Sequence, residues 1–217
     1  MEKHSFKFSD RILVINNVKN MEKAIALAQK RKEDGTLTEF FVADDKANLV
    51  LNFFNLQKEE FILGDAKETY PHLTDEWVYL NAIGPLSAIY FCKTPYLLYQ
   101  TGDVRLEHKS NWIPKAQKLM EKKQSYKVAN LTWNGNFKEA KKEAYKKKRG
   151  FFIAKEGFSD QMFLVKREDF QRPIYHEIRE DASHYPRGEV FEKRVYSYMK
   201  NHGWQRMTYK YGYYIHQ

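Results

Sequence analysis

The stretch RILVINNVKNMEKAIALAQKRKEDGTLTEFFVADD, residues 11–45, decides how the fold is read. RILVINN (11–17) is a continuous apolar run that ends in Asn16 and Asn17, the pattern of a buried parallel strand. In the next segment Met21, Ala24, Ile25, Leu27 and Ala28 recur at helical spacing. Asn20 can cap the start of that helix and Gly35 its end. LTEFFVADD (37–45) is a second strand, closed by Asp44 and Asp45. Strand, helix, strand in that order predicts an α/β fold with a largely parallel sheet.

Outward from this unit the alternation continues. KANLVLNFFNLQ (46–57) reads as a short helix and EEFILGD (59–65) as a third strand. TDEWVYLNAIGPLSAIYFCKT (74–94) is a long helical stretch with Thr74 or Asp75 as its cap, interrupted at Gly84-Pro85. PYLLYQTGD (95–103) is the next strand, NWIPKAQKLMEKK (111–123) a helix and YKVANLTW (126–133) a strand. After residue 134 the pattern loosens. GFSDQMFLVKREDF (157–170) gives a loop, a short strand and a turn, and RPIYHEIREDASHYPRGE (172–189) a loop. EVFEKRVYSYMKNHG (189–203) is an amphipathic helix ending at Gly203, and WQRMTYKYGYYIHQ (204–217) makes one or two aromatic-rich strands. The expectation is one domain over 1–217, with a regular half to about residue 107 and an irregular half beyond it.

Composition narrows the function classes. With 42% hydrophobic residues the chain can build a core, and no apolar run is long enough to cross a bilayer. MEKHSFKFSDR is too polar to read as a signal peptide, and a single cysteine, Cys92, excludes an internal disulfide. The expected setting is reducing and cytoplasmic. The net charge of +9 favours anionic partners. The basic excess is concentrated in KEAKKEAYKKKRG (138–150), read as a solvated helix face and loop, or as a patch that touches lipid head groups at a membrane periphery. Elsewhere bases interleave with acids and no nucleic-acid recognition motif appears, which counts against a nucleic-acid-binding domain as the alternative function.

Candidate chemistry gathers at strand ends, where ligands collect in open α/β sheets. Three strands end in polar groups: Asn16 and Asn17, Asp44 and Asp45, and Gly102-Asp103. There is no G-x-G-x-x-G after the first strand and no P-loop. The phosphates of a bound nucleotide would need another countercharge, and a divalent cation held by Asp103 is the candidate. Asp44 and Asp45 also read equally well as the first-turn acids of the helix that follows.

The ordered set ILVINN, FFVADD, LNAIGPLSA and PYLLYQTGD resembles the GT-A fold of nucleotide-sugar glycosyltransferases, especially glycosyltransferase family 2. Later segments extend the likeness: GFSDQMFLVKREDF resembles the acceptor-side segment, RGEVFEKRV the acidic segment that carries the catalytic base, and YIH the late histidine of the metal site. The resemblance implies a single GT-A domain and an inverting, metal-dependent transfer from a nucleoside-diphosphate sugar such as a UDP-sugar to a glycan or lipid-linked hydroxyl. It implies that Asn16, Asn17, Asp44, Asp45, Gly102 and Asp103 bind the donor, that Asp103 and His216 hold Mn²⁺ or Mg²⁺, and that Glu189 or Asp160 is the base. The family's D-x-D is here Thr101-Gly102-Asp103, with one carboxylate where the motif has two. An inactive GT-A domain that binds a sugar nucleotide is the alternative which that departure leaves open. Glu192, inside the predicted helix beside Lys193 and Arg194, reads as a salt-bridging residue rather than the base.

Overall fold

The computed structural model describes residues 3–155, 157–182 and 188–216. The chain is α/β, with a mixed multi-strand sheet flanked by helices. It opens as the sequence predicts: β1 (Ile12–Ile15), α1 (Met21–Glu33), β2 (Glu39–Val42) and α2 (Ala43–Phe54). The Asn20 side chain accepts from Lys23 N at 2.9 Å and so satisfies one of the free N–H groups at the start of α1. β1 and β2 pair in parallel, in register from Ile12 opposite Glu39 to Ile15 opposite Val42. They form a two-stranded sheet of their own.

The predicted third strand at 59–65 is not a strand. Residues Lys58–Glu60 form one 3₁₀ turn, closed by a reciprocal capping box between Gln57 and Glu60. Phe61 and Leu63 still enter the core, but the Leu63 N–H donates to Asp75 Oδ1 at 2.8 Å instead of to a neighbouring strand. The apolar run is satisfied without a ladder, which is why its composition misleads. A short helix α3 (Ala66–Thr69) then leads into α4 (Asp75–Phe91). Gly84-Pro85 does not divide α4, which runs unbroken through both. The helix is apolar on nearly every side and buried along most of its middle, so packing outweighs the one backbone hydrogen bond that Pro85 removes. Gly84 has a positional reason: a Cβ there would lie 3.3 Å from both Asn16 Nδ2 and the Tyr99 hydroxyl. It lets α4 approach the ends of two strands at once.

The second sheet contains β3 (Tyr96–Gln100), β4 (Val104–Leu106), β5 (Tyr126–Trp133), β6 (Lys146–Lys148), β7 (Phe151–Ala154), β8 (Met162–Lys166) and β9 (Gln205–His216). Among the described residues four helices fall between its strands: α5 (Ile113–Lys122), α6 (Phe137–Glu143), α7 (Arg167–Phe170) and α8 (Phe191–His202). The order is β3-β8-β5-β9-β7-β6, with β4 on the far part of β9. Only β5 and β9 are parallel in this sheet; β3–β8, β5–β8, β7–β9, β6–β7 and β4–β9 are antiparallel. The expected largely parallel central sheet is therefore corrected to a mixed one. The physical reason lies after residue 134, where short connections fold β6 and β7 into a hairpin and only antiparallel strands can be joined so tightly. The stretch 138–150 is accordingly a helix followed by an edge strand, not a helix and loop. Within the segment expected to give one or two strands, Gln205–His216 forms one long strand, with a break in register against β5 between Leu131 and Thr132. In the expected loop at 172–189, residues 183–187 lie outside the described residues.

Alternation along β8 shows how the sheet separates two cores. Phe163 and Val165 face a cluster with α2, α4 and α8; Met162 and Leu164 face a second cluster with α5 and β4. Each fully buried side chain of this size contributes about 1.5–3 kcal/mol from burial.

Candidate functional site

A cleft of about 1730 Å³ runs between the two sheets. One wall is β1 with Asn16 and Asn17; the other is β3, continuing through Thr101, Gly102 and Asp103. Ser159, Asp160, Gln161, Glu192, Tyr214 and His216 complete its polar end.

Strand register brings these residues together. The Thr101 N–H donates to Gln161 O at 2.9 Å, which extends the β3–β8 pairing by one residue and lays the 101–103 turn against Ser159–Gln161. Val104 pairs with His216, so the residue just before β4 meets the last residue of β9. Asp103 Oδ2 and His216 Nε2 lie 3.0 Å apart, with side chains 49% and 30% exposed. His216 does not sit on a frayed end: its N–H donates to Asn134 Oδ1 at 2.8 Å, and Asn134 N–H donates to Tyr214 O at 2.8 Å. The two atoms are in direct ion-pair contact, a separation that is also about that of adjacent ligands of an octahedral ion bound at about 2.1 Å. A carboxylate with an imidazole suits Mn²⁺ among the hard divalent ions. Among the described residues no group of three or more His, Cys, Asp or Glu could hold a metal. A bound ion would draw its remaining ligands from substrate oxygens and water.

Two phenols stand near the carboxylates, Tyr214 buried and Tyr99 half-buried. Burial, with Asp160 and Asp103 adding to it, holds the Tyr99 hydroxyl well above its ordinary range. Burial does the same for Tyr214, with Glu192 and Asp160 contributing. Both therefore stay protonated and act as hydrogen-bond donors. The Tyr214 hydroxyl is 3.4 Å from both Ser159 Oγ and Gln161 Oε1. Across the cleft, Asn16 Nδ2 donates to Leu80 O at 2.5 Å, and its Oδ1 is buried with no protein partner. Asn17 adopts φ 52°, a left-handed turn that Asn tolerates, and is exposed.

The other expected site residues fall elsewhere. Asp44 and Asp45 are exposed in the first turn of α2, where they complement the helix dipole and do not line the cleft. The strand ends at Val42, before the carboxylates are reached. Glu189 also stays out of the cleft lining. Its Oε2 is 3.2 Å from Arg194 Nη2, and its N–H donates to Ile62 O at 2.8 Å. Arg194, only 2% exposed, also donates to Glu60 O at 2.6 Å and Tyr175 O at 2.8 Å, and it packs 4.9 Å from the Phe61 ring. The Glu189 carboxylate thus balances a buried guanidinium that joins α8 to the 58–63 turn. Its neighbour Glu192, one helical turn on, does line the cleft. Glu192, Tyr99 and Tyr214 are the residues that sequence reasoning passed over.

Comparison of the chain with protein-family models, with curated proteins and with solved structures finds no match.

Proposed function

We infer that this chain is a metal-dependent, inverting glycosyltransferase on a GT-A-like framework. It would move a sugar from a nucleoside-diphosphate sugar to a hydroxyl of a glycan or lipid-linked acceptor. The observation that carries this reading is the meeting of Asp103 with His216 at 3.0 Å at one end of a large cleft that Asp160 and Glu192 also line. Two residues distant in sequence are brought together as a potential chelating pair, beside carboxylates suited to proton transfer.

The chemistry asks for these groups. The anomeric carbon becomes oxocarbenium-like as the sugar leaves, and the departing diphosphate gains charge. A Mn²⁺ or Mg²⁺ ion held by Asp103 and His216 would offset that charge as a Lewis acid. The acceptor hydroxyl is a poor nucleophile and needs a carboxylate within hydrogen-bond reach. Asp160 takes that role in this reading, and Glu192 is the second carboxylate on the same space. Tyr99 and Tyr214, kept neutral by burial, orient oxygens by donating to them.

Calorimetry tests the reading. Uridine diphosphate should bind in the presence of Mn²⁺ and fail to bind in EDTA, and Asp103→Ala should abolish the metal-dependent component. Equal binding with and without metal would overturn it. Metal-dependent binding with no turnover of any sugar nucleotide would instead identify a non-catalytic sugar-nucleotide binder, the reading that Thr101 in place of a first carboxylate favours.

A further inference from the structure

The hairpin β6–β7 lies at the edge of the seven-stranded sheet, away from the cleft. Its turn is made by Arg149 and Gly150, both with positive φ, 46° and 89°. Three ammonium groups from two separate segments gather on one ring there: Lys123, Lys146 and Lys148 Nζ lie 5.2, 5.7 and 6.0 Å from the Tyr126 centroid. On the other face of the hairpin, Lys147 and Lys210 Nζ lie 6.0 and 5.9 Å from the Phe152 ring. Tyr211 stands against the turn, since a Cβ on Gly150 would be 3.4 Å from its ring, and it is 72% exposed. Among the described residues no ion pair engages Lys123, Lys146, Lys147, Lys148, Arg149 or Lys210.

Lysines on an edge strand guard it against pairing with another chain. That accounts for Lys146, Lys147 and Lys148. It does not account for Lys123, Arg149 and Lys210, which come from outside the strand, nor for Tyr211, a large aromatic left in solvent beside the turn and 5.3 Å from Lys210 Nζ. Unpaired cations held together repel one another, and an anionic partner relieves that repulsion. An exposed tyrosine flanked by cations suits a membrane–water boundary, where the ring enters the headgroup layer and the ammonium groups meet the phosphates. These residues sit on an edge and a turn rather than in a pocket, which fits a planar partner better than a small ligand.

We propose that the β6–β7 hairpin edge, with Lys123, Lys210 and Tyr211, docks this protein on an anionic lipid surface. α6 precedes the hairpin and presents Glu139 and Glu143 to the cleft, so docking brings that side of the cleft toward the bilayer.

Vesicle flotation tests this. The full chain should float with phosphatidylcholine vesicles containing about 30 mol % phosphatidylglycerol, should not float with phosphatidylcholine alone, and should be released by salt. Each lysine at an anionic surface is worth about a five-fold factor, so Lys123→Gln/Lys146→Gln/Lys148→Gln together should weaken partitioning on the order of 100-fold. Tyr211→Ser, at an exposed position, should weaken it several-fold. Undiminished partitioning in the triple variant would overturn the proposal, as would equal binding to neutral vesicles. So would a single-stranded RNA that binds more tightly and strips the protein from the vesicles, which would mark a nucleic-acid surface. A urea midpoint of the triple variant equal to that of the native chain shows that it is folded, whether or not the chain binds uridine diphosphate. The docking surface and the donor site can then stand or fall separately.

Discussion

At the scale of single residues, three carboxylates competed for the role of base. Asp160→Asn should leave uridine diphosphate binding intact and lower turnover by about 10²–10⁴-fold. Glu189→Gln should leave turnover nearly unchanged and cost about 1 kcal/mol of stability, because it weakens a charge-assisted bond to Arg194 on a partly exposed side chain. Steady-state kinetics beside urea melts separates the two effects. A Glu192→Gln variant that loses turnover while Asp160→Asn keeps it would move the base to Glu192. That Asn16, Asn17 and Asp103 stand at strand ends or turns was legible in the sequence, because strand ends and turns carry their own punctuation. Asp44 and Asp45 were not, because strand-end carboxylates and helix first-turn acids are the same letters, and β2 closes one residue too early to tell them apart. The Glu189–Arg194 ion pair was not legible either, because only packing reveals that Arg194 is buried.

At the scale of elements, the junction between the 58–63 turn and the start of α8 has no slack. Gly188 has φ 73°, and a Cβ on it would lie 2.2 Å from Ile62 O and 2.5 Å from Leu63 Cα. Backbone atoms cannot swing aside as a side chain can. Gly188→Ala should therefore destabilise by about 3 kcal/mol or more, read from the urea midpoint. Gly102→Ala, where a Cβ meets nothing within 4 Å, should change the midpoint by no more than about 0.5 kcal/mol. The periodic helices α1, α5 and α8 could be read from sequence, and so could β5, because their apolar spacing matches one face or one core. The β6–β7 hairpin could not be separated from the helix before it. Lysines give no period, and the turn at Arg149-Gly150 shows only one of its two left-handed residues as glycine.

At the scale of the whole molecule, the N-terminal segment is tied down by His4, which is 3% exposed, bridges to Ser110 and lies 3.4 Å from Gln100 Oε1. Burial holds its imidazole below the usual histidine range; the Gln100 bond opposes that shift, and the N-terminal charge adds to it. The unfolded chain then binds this proton more readily than the folded one. Stability contributed by neutral His4 is complete above about pH 6.5 and is lost as pH falls toward the lowered folded value. Urea midpoints measured through that window should decline in the native chain and decline less in His4→Gln; equal slopes would remove His4 from the account. The α/β class was readable from alternation, but the sheet's direction was not. Parallel and antiparallel neighbours are set by which distant strands meet, and β5, β8 and β9 meet across long stretches of chain.

The cleft's walls carry one more implication. Among the described residues β1 has β2 as its sole ladder partner and β3 has β8, yet both strands line the cleft. A molecule bound there could meet their free peptide groups, which every amino acid supplies alike. Side-chain scanning along Ile12–Ile15 and Tyr96–Gln100 would therefore under-report how much of the recognition these two strands provide.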